Sequence, residues 1–423
     1  MEDAQSHAFV SPLTSVHPQP GMLLPLPTTS ALCAAGNPKL IRMVVRRCMI
    51  MPESRRAFLC FAAGAIATRA AAAADAPSPA ELAGVDGVAT AFMRAHFVPG
   101  LSVAVARDGA IVYQRAFGFA DRDKKESVTP ASLFRIASVS KPITSVTLFR
   151  LIEEKRLTLE DTVFGPRGIL GDDFGKSPYR KWVTEIRIKH LLTHTCGGWQ
   201  NDRADPMFQN PAMNHKQLIT WAIASAPLGY PPGEHYAYSN FGFCILGRVI
   251  EKLTGAPYEQ HVRDAILKRC GVTDMRIGGN TLAERAPSEV VYYGAGGQNP
   301  YDMNVRRMDS HGGWLATARD LAMFASHVDG HSPSRNILQP ASIIEMTTPT
   351  TANAGYAKGW AVNRVPNWWH GGSLPGTTTL MVRTASGLCW AALANTREDS
   401  GDTGGAMDKM MWDLVRQVKS WKA

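Results

Sequence analysis

Most of the patterns that announce a site chemistry are missing from this 423-residue sequence. Its seven cysteines are scattered, with no Cys-x-x-C spacing: Cys33, Cys48 and Cys60 lie near the start, and Cys196, Cys244, Cys270 and Cys389 are far apart. That excludes a zinc knuckle or a dense disulfide framework and leaves buried free thiols, with one disulfide at most. There is no His-Glu-x-x-His and no cluster of His, Asp and Glu at ligand spacing, so no metal and no cofactor are expected. No apolar run reaches the ~20 residues of a membrane span. Lys and Arg (45) exceed Asp and Glu (36), for a net charge of +9, yet the excess forms no basic stripe with interleaved aromatics. No nucleic-acid partner is expected. There is no internal repeat, and no low-complexity segment beyond an alanine run.

What is present describes a globular protein. Hydrophobic residues make up 45% and charged residues 19%, enough for a full core in one large or two ordinary domains. The first 74 residues stand apart and carry +4 of the +9. Residues 1–50 have Pro, Ser and Thr clusters without periodicity, so they are expected to be disordered or, with Met51 as the natural start, untranslated. Ser54-Arg55-Arg56-Ala57-Phe58-Leu59-Cys60 is followed by a short apolar stretch to Ala67 and by Ala70–Ala74. A charged start, a short apolar middle and a small-residue end make a cleavable export signal over 51–74. It resembles a twin-arginine signal, with Cys60 where lysine is usual. A mature chain beginning near Asp75, periplasmic or secreted and without a stable membrane anchor, is the expectation.

Periodicity then places the elements. Ser78–Phe97 has helical spacing. Leu101–Ala106 and Ile111–Gly118 read as a hairpin around Arg107-Asp108-Gly109. Ile186–Gly198 reads as a short helix ending in glycine, with further helices at Lys216–Ser225, Phe241–Leu253 and Tyr258–Lys268. Residues 276–310 read as loop, and Gly312–Leu321 as the lead into another helix. Trp360–Val362, Trp369–Gly372, Thr378–Thr384 and Leu388–Leu393 are expected strands, and Met407–Trp421 a closing amphipathic helix. Strands near both ends and helices in the middle are the pattern.

The chemistry begins at Ser138-Val139-Ser140-Lys141. The segment that follows, Ile143 to Ile152, is apolar on nearly every face and so reads as a buried helix. Residues three apart share a face. Ser138 and Lys141 would therefore point the same way at a helix start, where partial positive charge suits an oxyanion. Pro142 forces the helix to begin close to Ser138. A lysine in a dry site has a lowered pKa and can take a serine proton. Gly372-Ser373-Leu374-Pro375-Gly376 has its serine one place off a nucleophile elbow, which excludes that alternative.

Two further pieces follow in order, Tyr238-x-Asn240 and His370-x-Gly372. With Ser138-x-x-Lys141 they make the three-motif pattern of the penicillin-recognising serine hydrolases. The second and third forms are similar to the class C β-lactamase, D,D-peptidase and esterase branch. The flanks Leu191–Thr195, Gly312–Leu321 and Gly359-Trp360 match as well, so the resemblance covers about residues 85–420. It implies an α/β fold with a mostly antiparallel sheet flanked by helices, plus an all-helical middle. The α/β part would be about 78–135 and 310–423, and the helical part about 136–309, within one catalytic domain over 75–423.

The resemblance also assigns roles. Ser138 would be the nucleophile and Lys141 its base. Tyr238 would be a phenol or phenolate sharing proton transfer, its pKa lowered by the lysine ammonium. Asn240 would hold the lysine and bond a substrate amide. The oxyanion would be met by the N–H groups of Ser138 and Ser373, and Gly371 and Gly372 would let substrate approach the strand edge. His190 and His194 have no catalytic task in the family and are expected to be structural, and Cys196 to be a buried thiol. The expected substrates are small esters, amides, D-amino-acid peptides or β-lactams. A β-lactamase proper and a catalytically silent penicillin-binding sensor are the alternatives. His370 stands where β-lactamases carry lysine, and histidine is mostly neutral at pH 7. With Trp368 and Trp369 beside it, preference for neutral substrates follows, unless Arg383 or another loop cation replaces the charge.

Export can be checked directly. N-terminal sequencing of the exported protein is expected to begin near Asp75. A mature chain that keeps Arg55-Arg56 would refute the signal.

Overall fold

The β-rich runs from the two ends of the sequence pair with each other. The computed structural model describes residues 77–202, 204–331, 335–398 and 402–422. The expected extension 1–50 and signal 51–74 lie outside them. Among the described residues no helix is long and apolar enough to cross a membrane. Residues Ala80–Val418 form one compact unit, which contains everything discussed below.

After the helix α1 (Pro79–Ala95) come β1 (Gly100–Arg107) and β2 (Ala110–Asp121). Their turn is Asp108-Gly109, both at positive φ, the conformation a two-residue hairpin requires. β3 (Glu126–Ser127) edges the sheet, and β4 (Phe134–Arg135) starts a second. The middle of the chain supplies α2 (Ser140–Glu153), α3 (Ile188–Leu192), α4 (Pro206–Gln209), α5 (His215–Ser225), α6 (Asn240–Thr254) and α7 (Tyr258–Ala265). β5 (Arg276–Ile277) and β6 (Trp314–Ala316) complete the small sheet with β4. Then follow α8 (Ala318–Ser326), α9 (Pro340–Thr347), β7 (Ala361–Val362), β8 (Trp368–Leu374), β9 (Thr377–Arg383), β10 (Leu388–Ala394) and α10 (Thr403–Val415). The main sheet runs β3-β2-β1-β10-β9-β8-β7, with every pair antiparallel.

Period-2 alternation on β10 feeds two layers. Cys389, Ala391 and Leu393 join the core that includes Phe324 of α8, while Trp390 packs edge-on against Trp412 of α10. Deeper in, α2 is buried on every face: Ile143, Val146, Leu148 and Leu151 have no exposure. Each such side chain contributes roughly 1.5–3 kcal/mol by leaving water. α6 buries Phe241 to Ile250 against the same core.

Several boundaries differ from the sequence expectation. α3 stops at Leu192 rather than at the glycines, because His194 takes φ 57° and the carbonyls of His194 and Thr195 accept from Ala237 and Gly233 at 2.7 Å. Bonds to a distant loop there replace helical ones. α7 gives way after Ala265 to a short 3-10 turn, Leu267–Cys270. α10 starts earlier than expected because Asp402 caps the Gly405 amide at 2.7 Å, and it ends at Val415. β6 and α9 were not foreseen; both are too short to give a periodic signal. The four cysteines among the described residues are buried and free.

One ion pair ties the helical middle to the loop before β6. Gly247 of α6 has room only for hydrogen, since a Cβ would meet Ser310 Oγ at 2.5 Å. The next residue, Arg248, pairs with Asp309 at 2.6 Å, and Asp309 accepts the Ser310 amide at 2.6 Å. Burial alone would raise the Asp309 carboxyl, but Arg248, with His215 beside it, holds it well below the usual carboxylate range. A folded pKa below the unfolded one means stability that is whole above about pH 4 and lost as pH falls. Asp309→Asn takes from Arg248 its buried counter-charge and leaves it only the more exposed Glu251, at 2.9 Å. It is expected to cost about 3–5 kcal/mol in denaturant unfolding, with the wild-type advantage shrinking in acid. An unchanged midpoint at pH 7 would show the pair to be unimportant.

Candidate active site

Ser138 lies in a 3-10 turn, Ala137–Val139, that runs directly into α2, so Lys141 falls in the first turn and Pro142 is tolerated. Ala137 holds φ at 49°, a left-handed conformation that costs a non-glycine residue on the order of 1–2 kcal/mol. This places Lys141 Nζ 3.0 Å from Ser138 Oγ. The lysine has no exposure. Burial lowers its pKa well below the ordinary value, opposed by Asp205. Two other acceptors face the amine: Asn240 Oδ1 at 2.8 Å and the His311 carbonyl at 3.1 Å. A neutral amine has two N–H groups and one lone pair. Asn240 and His311 take the two N–H groups, and the lone pair is left for the serine O–H.

Asn240 is oriented by residues the sequence did not single out. Its Nδ2 donates to Asn201 Oδ1 at 2.9 Å and to Asp205 Oδ2 at 3.1 Å. With the amide's donors committed there, its oxygen must face the lysine. Asp205 is buried at the start of α4, where it also accepts the Met207 amide at 2.9 Å. Burial pushes its carboxyl up to about 7. Asp205-Pro206 carries a helix-start signal but nothing that links it to Asn240, 35 residues on.

Tyr238 engages the Ser138 side chain, and its ring lies 4.7 Å from Lys141 Nζ. Burial raises its phenol, where the sequence reading expected the lysine to lower it. In a dry site the cost of a phenolate outweighs a partner that is itself held neutral. Tyr238 therefore keeps its proton at neutral pH, and the Lys141 lone pair is the group placed to accept one. Cys196 is a buried thiol pushed up to about 11, an inert group.

The third wall is β8. β7 pairs only with Trp368 and Trp369, so β8 has no strand on that side from His370 onward among the described residues. Gly371 is open: a Cβ there would meet nothing nearer than 3.9 Å. Gly372 is different. A Cβ would meet the Ile136 carbonyl and Thr379 Oγ1, each at 2.3 Å, so the missing side chain here makes room for the turn that carries Ser138. Ser373 is exposed at the end of β8 and accepts from Arg397 Nη1 at 3.4 Å. Arg383 is occupied elsewhere, on Asp329, Pro366 and the Trp368 face. His370 is neutral: burial pushes it down to about 3. Both its nitrogens are engaged, Nε2 with the Tyr356 hydroxyl at 3.0 Å and Nδ1 with the Gly371 carbonyl at 2.6 Å. Both nitrogens are thus bonded within the protein.

His194 is the other surprise. Remote in sequence, its ring lies 4.2 Å from that of Tyr238, and it bonds Tyr356 at 3.1 Å. Neither His194 nor Tyr356 was placed at the site from sequence. His190, by contrast, sits apart and serves the start of α3 by accepting the Arg187 amide.

The Beta-lactamase family matches residues 85–408. Penicillin-binding protein 4* of Bacillus subtilis (strain 168) is 27% identical over 312 residues, 67% of this chain and 64% of that protein. Esterase EstB of Burkholderia gladioli is 33% identical over 206 residues, 45% of this chain and 50% of that protein. The chain thus spans about half to two-thirds of these curated relatives. D-amino acid amidase from Ochrobactrum anthropi SV3 superposes with a TM-score of 0.66 at 20% identity, covering 80% of this chain and 98% of that one, which shows the shared fold.

The Asp205 arrangement has a signed consequence. Its charge raises the lysine pKa, so Asp205→Asn, which can still accept from Asn240, is expected to lower it further. The acid-side inflection of kcat/KM should move to lower pH. A shift to higher pH would exclude this electrostatic link.

Proposed function

The chain belongs to the beta-lactamase family, and from that membership and the site geometry we propose that it is a serine hydrolase working through an acyl-enzyme. The observation that carries the reading is Lys141 Nζ, 3.0 Å from Ser138 Oγ in a site without solvent exposure at the lysine. As Oγ attacks a carbonyl carbon, its proton passes to Lys141 Nζ. The developing oxyanion meets the N–H groups of Ser138 and Ser373. Tyr238, kept protonated, donates to the leaving oxygen or nitrogen, and the proton held by Lys141 restores the phenol. The C–O or C–N bond breaks, the alcohol or amine departs, and Ser138 is acylated. Water attacks the ester by the reverse proton path and frees the acid. An intact set of four bonded side chains argues against a silent sensor.

Neutral esters and amides, including D-aminoacyl ones, suit this site best. His370 is uncharged and turned inward, and relatives include an esterase and a D-amino acid amidase by name. One observation favours a second reading, turnover of carboxylate-bearing β-lactams or D-peptides: Arg397 reaches Ser373. We place the mature enzyme in the periplasm or outside the cell, on the strength of the Arg55-Arg56 signal.

A fluorophosphonate probe with peptide mapping is expected to label Ser138, and Ser138→Ala to abolish labelling and lower ester turnover at least ~10³-fold. Label on Cys196 or Ser373 instead would refute the assignment. A nitrocefin kcat/KM near ~10⁶ M⁻¹s⁻¹ would favour the second reading.

A further inference from the structure

Four hydrogen bonds cross the site in a chain whose direction can be worked out atom by atom. It begins at the Ser239 amide, which lies 3.0 Å from His194 Nδ1. An amide nitrogen only donates, so His194 Nδ1 bears a lone pair and the neutral ring carries its proton on Nε2. That Nε2–H points at the Tyr356 oxygen, 3.1 Å away, and donates to it. Tyr356 must then donate its own O–H to His370 Nε2 at 3.0 Å. His370 Nε2 accepts, so its proton is on Nδ1, which lies 2.6 Å from the Gly371 carbonyl. A carbonyl only accepts, and the chain closes with every role filled once.

We propose that Tyr356 is a positioning residue that locks His194 and His370 in opposite neutral tautomers and thereby fixes the edge of β8 against the Tyr238 loop. His194, Tyr356 and His370 are all buried. Protonating either histidine would turn an acceptor into a donor and leave a buried O–H or N–H unmatched, which is costly away from water. The groups packed around the chain oppose such a charge. Burial is the chief opposition, Lys141 of α2 offers no negative charge to offset an imidazolium, and the other neighbours are the uncharged rings of Tyr236, Tyr238 and Phe243.

The lock acts on the substrate edge. Backbone groups two residues apart in a strand leave it on the same side. Holding the Gly371 carbonyl therefore sets the plane from which the Ser373 N–H projects. His370 keeps no N–H to offer a substrate, so the edge stays uncharged. This consequence for substrate choice rests on the acyl-transfer reading; the tautomers do not.

The test is imidazole 1H–15N correlation NMR on the purified protein, with His194→Gln and His370→Asn used only to identify signals. The expected result is His194 protonated at Nε2 and His370 at Nδ1, unchanged from about pH 5.5 to about pH 8.5, where an ordinary histidine titrates. Tyr356→Phe removes only the hydroxyl. It is expected to shift both ring signals and to lower kcat for a neutral p-nitrophenyl ester by ~10-fold or more with little change in KM, as loss of an aligned oxyanion donor would. His370 protonated at Nε2, or titrating within that range in the wild type, overturns the proposal even if Tyr356→Phe fails to fold. An unaltered kcat in a folded Tyr356→Phe protein overturns the positioning role. Wild-type protein with both tautomers as assigned but no ester turnover supports the lock while refuting the acyl-transfer reading.

Discussion

Everything at the site depends on a lysine kept in a place where an ammonium is costly. Lys141 is completely enclosed, and no carboxylate is in direct contact with it among the described residues. Its neighbours are a serine hydroxyl, an amide oxygen and a backbone carbonyl, contributed by three different parts of the chain. Desolvation makes the neutral amine the favoured form, and the three neighbours match the valence of that form. If any of the three moved away, the lysine would gain water or lose its orientation. The rigid surroundings thus serve the chemistry by keeping one amine dry.

The surrounding structure can be read as the means of holding those neighbours still. Asn240 opens α6, and its amide is turned by Asp205 and Asn201. His311 follows the loop pinned by the Arg248–Asp309 pair, and Thr144 of α2 reaches the same loop by donating to the Ser310 carbonyl at 2.6 Å. Ser138 is set by the strained turn at Ala137, against which Gly372 allows β8 to close. Most of these supports are buried, with Asn201 half-buried, and their hydrogen bonds to one another limit the cost of burying polar groups. The charges sit at the margin: Arg397 reaches Ser373, and Asp205 is one residue removed from the amine.

Much of the architecture was legible because it rests on local physics. The β1–β2 hairpin follows from Asp108-Gly109, and α6 ends where Gly255 takes φ 72°. The buried nature of α2 shows in a segment apolar on all sides. The i, i+3 spacing that aims Ser138 and Lys141 the same way belongs to the helix start and needs no tertiary contact. By contrast, α3 was cut short by bonds to residues some forty positions away, which no local pattern encodes.

From the sequence alone one could determine the order of the longer elements, the Ser138–Lys141 pair, the companion residues Tyr238, Asn240 and His370, and the neutrality of a histidine in place of a lysine. These depend on side-chain type and on separations along a helix or strand. Only the tertiary structure decided that Tyr238 keeps its proton, that Asp205 stands behind Asn240, and that His194 and Tyr356 reach His370. It also decided that Gly372 makes room for the turn that carries Ser138 while Gly371 stays open. The reason is the same in each case. Protonation, amide orientation and ring tautomer are set by how much water is excluded and by which donor faces which acceptor, and those follow from contacts between residues far apart in the chain.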